Sequence, residues 1–228
     1  MNKRAIAIAS LVFSILSLIF IILSHVGLVR YMQMHLADSH KRLVEGYSKL
    51  PESCDSGRVV ISFTTTPENA EKLGPVIMSL LDQTVRVDRI ALTIPGNTGP
   101  SEYNFPKWYE DAVSVYRSGL DFGPGEKILP ALTRESEADT KIIYLENDRI
   151  YAKDMVEKMV DASLSSPDTA IMIESAHAIL VKPSFFDASV LENGKETYDD
   201  EWFLEKLIVP ITKITSRDTY RSYRFARG

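Results

Sequence analysis

Residues 141–145 read Lys-Ile-Ile-Tyr-Leu and run directly into Glu146, Asn147 and Asp148. A short run that is apolar at consecutive rather than alternate positions suits a strand covered on both faces, the condition of strands inside a parallel sheet. Carboxylates at the carboxyl end of such a strand stand where open α/β sheets bind their ligands. Glu146 and Asp148 are two positions apart, so continued extension aims both to one side. Two hard oxygen ligands on one side suit Mg²⁺ or Mn²⁺ carrying a diphosphate.

The rest of the chain agrees with an α/β; mostly parallel sheet flanked by helices. Strands are expected at 58–64, 89–94, 113–117, 141–145, 169–174 and 179–182. Helices are expected at 67–83, 126–133, 153–164 and 200–209. In the first of these helices Pro67 sits at the first turn, with Leu73, Val76, Ile77, Leu80 and Leu81 on one face. Strands alternating with helices in this way build a parallel sheet.

Ahead of that domain, residues 5–24 carry no charge, enough for a helix to cross the ~30 Å hydrocarbon core of a bilayer. The apolar stretch is longer than a secretory signal core, and Ser24-His25-Val26-Gly27 is a poor cleavage site, so the reading is an uncleaved anchor. Lys3 and Arg4 on one flank nearly balance Arg30, Lys41 and Arg42 on the other. A tail this short fits a type II, single-pass membrane protein, lumen-facing in a eukaryotic setting. The expected organisation is an anchor over 1–29, a polar, partly helical stem and linker over 30–57 and one domain over 58–228.

With a net charge of −5 the chain lacks the basic footprint of a general nucleic-acid binder. Its single cysteine, Cys54, excludes an internal disulfide and a cysteine-built zinc site. Oligomeric state is not legible.

Several segments together resemble GT-A glycosyltransferases of the family 2-like kind. They are Thr64-Thr65-Thr66-Pro67, the helix end Ser79-Leu80-Leu81-Asp82-Gln83-Thr84, and Ile94-Pro95. The turn Asp121-Phe122-Gly123-Pro124-Gly125-Glu126-Lys127 is similar to that family's Asp-Tyr-Gly-Pro-x-x-Lys. Glu146-Asn147-Asp148 falls where the family carries Asp-x-Asp, and Lys182 to Asp187 and Tyr198 to Trp202 look like its later segments. The resemblance covers most of residues 58–208 in the family's order. It departs at Glu146, where Asp is usual, and at Ser175-Ala176-His177-Ala178, where a Gly-rich stretch is common.

The resemblance implies a Rossmann-like GT-A fold and a membrane-anchored enzyme moving a sugar from a nucleotide-sugar donor to a saccharide, lipid or protein acceptor. Mn²⁺ or Mg²⁺ would assist, and inversion at the anomeric carbon follows from the resemblance alone. Asp148 is the expected metal ligand with Glu146 as helper, because a divalent cation stabilises charge on a departing diphosphate without proton transfer. Thr64, Thr65, Asp121 and Lys127 are the expected nucleotide-binding residues. The Gly-Pro-Gly turn between the last two exposes backbone N–H groups to phosphate. Asp199 and Asp200 are the expected pair from which one carboxylate takes the acceptor's proton, while the other caps the helix behind them.

Each residue also has a plainer reading. The threonines favour a strand, Asp121 initiates a turn, and Asn147 is a turn residue. His177 and Trp108 are structural by default, and the arginines at 217, 221, 224 and 227 belong to a solvated tail. The rival reading for the whole chain is a non-catalytic relative that keeps the sheet and only binds ligands or partners. A nucleotidyltransferase would need a Gly/Lys/Arg-rich triphosphate loop near the first strand, and none is present.

Overall fold

The computed structural model describes residues 3–25, 28–35, 39–51, 57–97, 103–173, 177–191 and 198–215. Cys54, Ser175, Ala176 and the arginine-bearing tail therefore lie outside the described residues.

Among the described residues seven strands form one sheet in the order β3-β2-β1-β4-β6-β5-β7. They are β1 (Val59–Thr64), β2 (Arg89–Ile94), β3 (Ser114–Arg117), β4 (Lys141–Leu145), β5 (Ala170–Ile173), β6 (Ala178–Val181) and β7 (Ile211–Lys213). β1 pairs in parallel with both β2 and β4, and β2 in parallel with β3. Only β6 runs backwards, between β4 and β5. This is the mostly parallel, Rossmann-like α/β architecture that the apolar run at β4 demands. All five β4 residues are buried.

Strand alternation divides the core in two. Val59, Ile61, Phe63, Ile143 and Leu145 point to one face, under α4 (Gly74–Leu81) and α6 (Met155–Ser165). Ile142, Tyr144, Met172 and Ile179 point to the other, under α5 (Leu129–Arg134) and α7 (Asp200–Glu205). Leu73, Val76, Ile77, Leu80 and Leu81, the stripe expected from the sequence, are all buried.

Prolines account for two departures from the expected helices. The helix expected over 67–83 is a 3₁₀ segment, Pro67–Leu73, followed by α4. Pro75 has no N–H to donate back along the first segment, so the coil is re-started at Gly74. Pro130 acts likewise: a 3₁₀ turn, Gly123–Lys127, gives way at Ile128 to α5. The last expected helix, 200–209, stops at Glu205. Beyond it Ile208 N–H donates to the Phe185 carbonyl. β7, a three-residue edge strand after Pro210, has no counterpart among the expected strands.

The N-terminal helix α1 (Lys3–His25) carries an apolar stretch, Ile6–Ser24, long enough to cross a membrane and wholly unburied. It is followed by α2 (Leu28–His35) and α3 (Ser39–Tyr47). These two helices, which begin two residues inside the expected anchor and fill much of the expected stem, lie against the domain. Met34 is buried with Met78 and Ile150, and Leu43, Val44 and Tyr47 pack on the main core. The Tyr47 hydroxyl accepts from Val87 N–H at 2.9 Å, and burial pushes its phenol up to about 12.

Candidate functional site

The carboxyl ends of β1 and β4 lie side by side, because the two strands pair in parallel from Val59↔Lys141 to Ser62↔Tyr144. A cleft of about 180 Å³ opens there, lined by Thr64, Pro124, Lys127, Leu145, Glu146, Asn147 and Asp199. Four expected site residues, Thr64, Lys127, Glu146 and Asp199, thus meet in one place although 135 positions separate the first from the last.

The cleft's charge is concentrated in one pair. Lys127 Nζ donates to Glu146 Oε1 at 2.6 Å. The lysine side chain is 6% exposed and the glutamate 34%, so the pair has one buried and one solvent-facing member. The ammonium also lies 5.8 Å from the Tyr144 ring. A buried lysine keeps its charge only when paired, and the partly exposed Glu146 is a partner that an incoming anion can replace.

The chain leaves extended geometry after Leu145. Glu146 and Asp148 therefore do not follow strand alternation. Glu146 lines the cleft, while Asp148 Oδ1 sits 3.5 Å from Arg149 Nε. That oxygen is buried and accepts no hydrogen bond. Among the described residues no three His, Cys, Asp or Glu side chains converge on one point. The donor set fits a small hard cation nonetheless: Mg²⁺ and Mn²⁺ take one or two carboxylates and fill their shells with water and phosphate oxygens. Asp148 Oδ1 accepts no hydrogen bond, and a cation there would compete with Arg149 for it.

The turn carrying Lys127 is shaped by two glycines and a buried acid. Gly123 adopts a left-handed φ of +55°, which only glycine enters without strain, and its N–H donates to Asp121 Oδ1 at 2.8 Å. A Cβ on Gly125 would stand 2.7 Å from Tyr198 Cβ, so glycine lets the segment before Asp199 close over the turn. Glu126, fully buried, accepts from Ser118 Oγ at 2.7 Å and from Phe122 N–H at 3.1 Å. Burial pushes its carboxyl up, partly offset by those two donors. Asp121 is exposed and spends one oxygen on its own turn.

Two latches hold the β4 end. Asn147 Nδ2 donates to the Thr64 carbonyl at 2.8 Å, tying the ends of β1 and β4 together. The Tyr151 hydroxyl donates to the Glu146 carbonyl at 2.6 Å. Burial holds this phenol well above its ordinary value, with Glu146 adding to the effect. Thr65 is buried, its carbonyl accepting from the Tyr103 hydroxyl at 3.3 Å.

Asp199 caps α7: its Oδ1 accepts from Trp202 N–H at 2.9 Å. Asp200 opens the helix, but its side chain lies outside the described residues. His177 is exposed, with a φ of +46°. Its neighbour Ala178 pairs with Leu145, which brings His177 to the sheet edge beside Glu146. Trp108 stacks on His40 with ring centroids 4.8 Å apart, in the packing of α3 rather than in the cleft.

Sequence reasoning missed the positioning roles of Glu126 and Tyr151 and gave Asn147 only a turn. Each does its work through a contact that spacing cannot reveal. The one available signal was a charged residue, Glu126, in a stretch otherwise closing onto the core.

No family model matches the chain, and no curated protein matches it in sequence. Among solved structures it is similar to a candidate nucleotide-diphospho-sugar transferase from Desulfovibrio desulfuricans G20, with 13% identity over 69% of this chain and 79% of the other, TM-score 0.43. It is similar to a 4-diphosphocytidyl-2C-methyl-D-erythritol synthase, with 10% identity over 75% and 93%, TM-score 0.49. It is also similar to the mannosyltransferase PcManGT of Pyrobaculum calidifontis, solved with GDP-Man and Mn²⁺, with 14% identity over 72% and 55%, TM-score 0.43.

Proposed function

We propose that this chain is a membrane-anchored glycosyltransferase that takes a sugar from a nucleotide-sugar donor. The observation that carries the proposal is the Lys127–Glu146 pair at the mouth of β1 and β4, with Asp199 in the same cleft. That cleft is at the carboxyl edge of a parallel sheet, where such folds bind ligands.

In this reading Lys127 exchanges Glu146 for the donor's diphosphate, a replacement favoured because phosphate carries more negative charge than a carboxylate. The backbone of the Gly123–Gly125 turn approaches the same diphosphate, and Glu126 fixes the turn's shape. Thr64 and the Asn147 latch keep the β1 end at the right separation for the nucleoside. Bound by Asp148 and Glu146, a divalent cation would supply charge neutralisation on the leaving diphosphate. The acceptor hydroxyl then needs a base. Asp199 has one oxygen committed to Trp202 N–H and Asp200 is next in the chain, so capping and proton abstraction divide naturally between them.

The test uses the full chain in detergent micelles. Thermal shift is measured with UDP, GDP and CDP, each with and without Mn²⁺, beside nucleoside diphosphate release from the matching sugar donors. The expected result is stabilisation by one base and release that is lost in Asp148→Ala. No shift with any nucleotide and no release from any donor would assign the chain to the ligand-binding class instead.

A further inference from the structure

We infer that the acceptor is a membrane lipid whose reactive hydroxyl or phosphate sits at the bilayer surface. The inference rests on the transferase and anchor reading above, and names the acceptor of that same cleft.

Three contacts connect the anchor to the chemistry. Arg30, in the first turn of α2, donates from Nε to Asp82 Oδ2 at 3.1 Å and from Nη1 to the carbonyl of Tyr151. The hydroxyl of that same Tyr151 holds the carbonyl of Glu146, a residue of the cleft wall. Next to these, Met34 of α2 is buried against Met78 and Ile150. One tyrosine side chain therefore separates the juxtamembrane helix from the cleft.

Lengths decide what this means. A loose stem over 30–57 would let the domain roam up to about 90 Å from the bilayer. Here α2 and α3 are instead folded onto the domain, and Arg30 is only five residue steps beyond His25, the end of α1. Those five steps span at most about 18 Å, while the headgroup layer adds roughly 5–7 Å beyond the hydrocarbon. A cleft tied this close to the bilayer meets groups carried on lipids and leaves little room for a folded protein acceptor. Lys41 and Arg42, exposed on α3, are cations suited to anionic headgroups.

Transfer to such a lipid forms a bond from its oxygen to the anomeric carbon and breaks the bond to the diphosphate. The proton of a hydroxyl acceptor passes to the carboxylate base, and the nucleoside diphosphate leaves with the bonding pair.

The test reconstitutes the full chain in phosphatidylcholine vesicles containing a long-chain isoprenoid phosphate or a diacylglycerol, with a water-soluble oligosaccharide as the competing acceptor. Label is followed from the radiolabelled sugar donor into the organic phase. A second variant carries four EAAAK repeats between α1 and α2, lifting the intact domain by about 30 Å. Label is expected in one of the two lipids, the arm showing whether phosphate or hydroxyl accepts. The spacer is expected to lower lipid transfer by roughly tenfold or more through lost effective concentration, while donor hydrolysis by water is unchanged. Hydrolysis with no label in either lipid, equal transfer by parent and spacer variant, or preferred use of the soluble oligosaccharide would overturn the lipid inference alone. Absence of both hydrolysis and label transfer in the parent would instead remove the transferase reading, and extraction of the chain by alkaline carbonate would remove the anchor.

Discussion

Replacing Lys127 by Met probes the cleft where its charge is most concentrated. The lysine hydrogen bond to Glu146 is 2.6 Å long. A hydrogen bond to a charged group contributes about 1.5–3 kcal/mol when buried. Glu146 is 34% exposed, and screening of the open partner reduces the figure to about 1–2 kcal/mol. In a domain of this size 1 kcal/mol moves Tm by about 2–4 °C, so Lys127→Met is expected to lower Tm by roughly 2–8 °C. Glu146→Gln made in the Met background removes the carboxylate left without its cation. The double-mutant cycle is then expected to return a coupling of about 1–2 kcal/mol. Calorimetric titration with the stabilising nucleoside diphosphate supplies the functional half: Kd should rise by roughly tenfold, equivalent to about 1.4 kcal/mol. A coupling near zero together with an unchanged Kd would refute both the pairing and the exchange of Glu146 for phosphate.

Three further outcomes are expected. Glu126 has its folded carboxyl raised by burial above the unfolded value of 4.5. Its stabilising contribution is thus complete below that value and is lost as pH rises through the folded one; Glu126→Gln should gain Tm relative to the parent as pH rises above 4.5, and parallel curves would show that the carboxyl is not desolvated. Gly125→Ala places a Cβ 2.7 Å from Tyr198 Cβ, an overpacking of about 1–3 kcal/mol, so calorimetry should show a lower Tm and steady-state kinetics a higher donor KM as the Asp199 segment is pushed away. A chain beginning at residue 58 loses the cover of Met34, Leu43, Val44 and Tyr47, and should be cut faster by protease than one beginning at residue 28; equal digestion would mean that α2 and α3 contribute no stability.

Most of the sheet could be read in advance because its signal is local. β2 and β4 have the bounds expected from their largely apolar runs, and the expected apolar positions of α4 are buried, although Met78 and Ser79 between them are buried too. What escaped was what local pattern does not encode. Pro75 and Pro130 sit inside periodic stretches, and each re-starts a helix that periodicity alone would continue. β7 is three residues long and is defined by pairing with β5 from Ala170↔Ile211 onward, a long-range contact with no sequence signature. The polar character of residues 30–51 hid the few apolar side chains that dock α2 and α3. At the site, Lys127, Glu146, Asp199 and Thr64 were accessible because motif order places them. The latches at Asn147 and Tyr151 and the turn-shaping contacts of Glu126 were not, since each depends on a backbone group or hydroxyl met in three dimensions.

β6 alone runs against its neighbours. This reversal sets Ile173, the end of β5, beside Ala178, the start of β6, at the same rim as Glu146, with His177 just ahead of β6. A hairpin at a rim can grow, shrink or change composition while every rung of the ladder behind it stays in place. On the proposed function, selectivity for what enters from that side can therefore drift independently of the Lys127–Glu146 cleft, and grafts confined to this hairpin are expected to exchange preference without costing the scaffold.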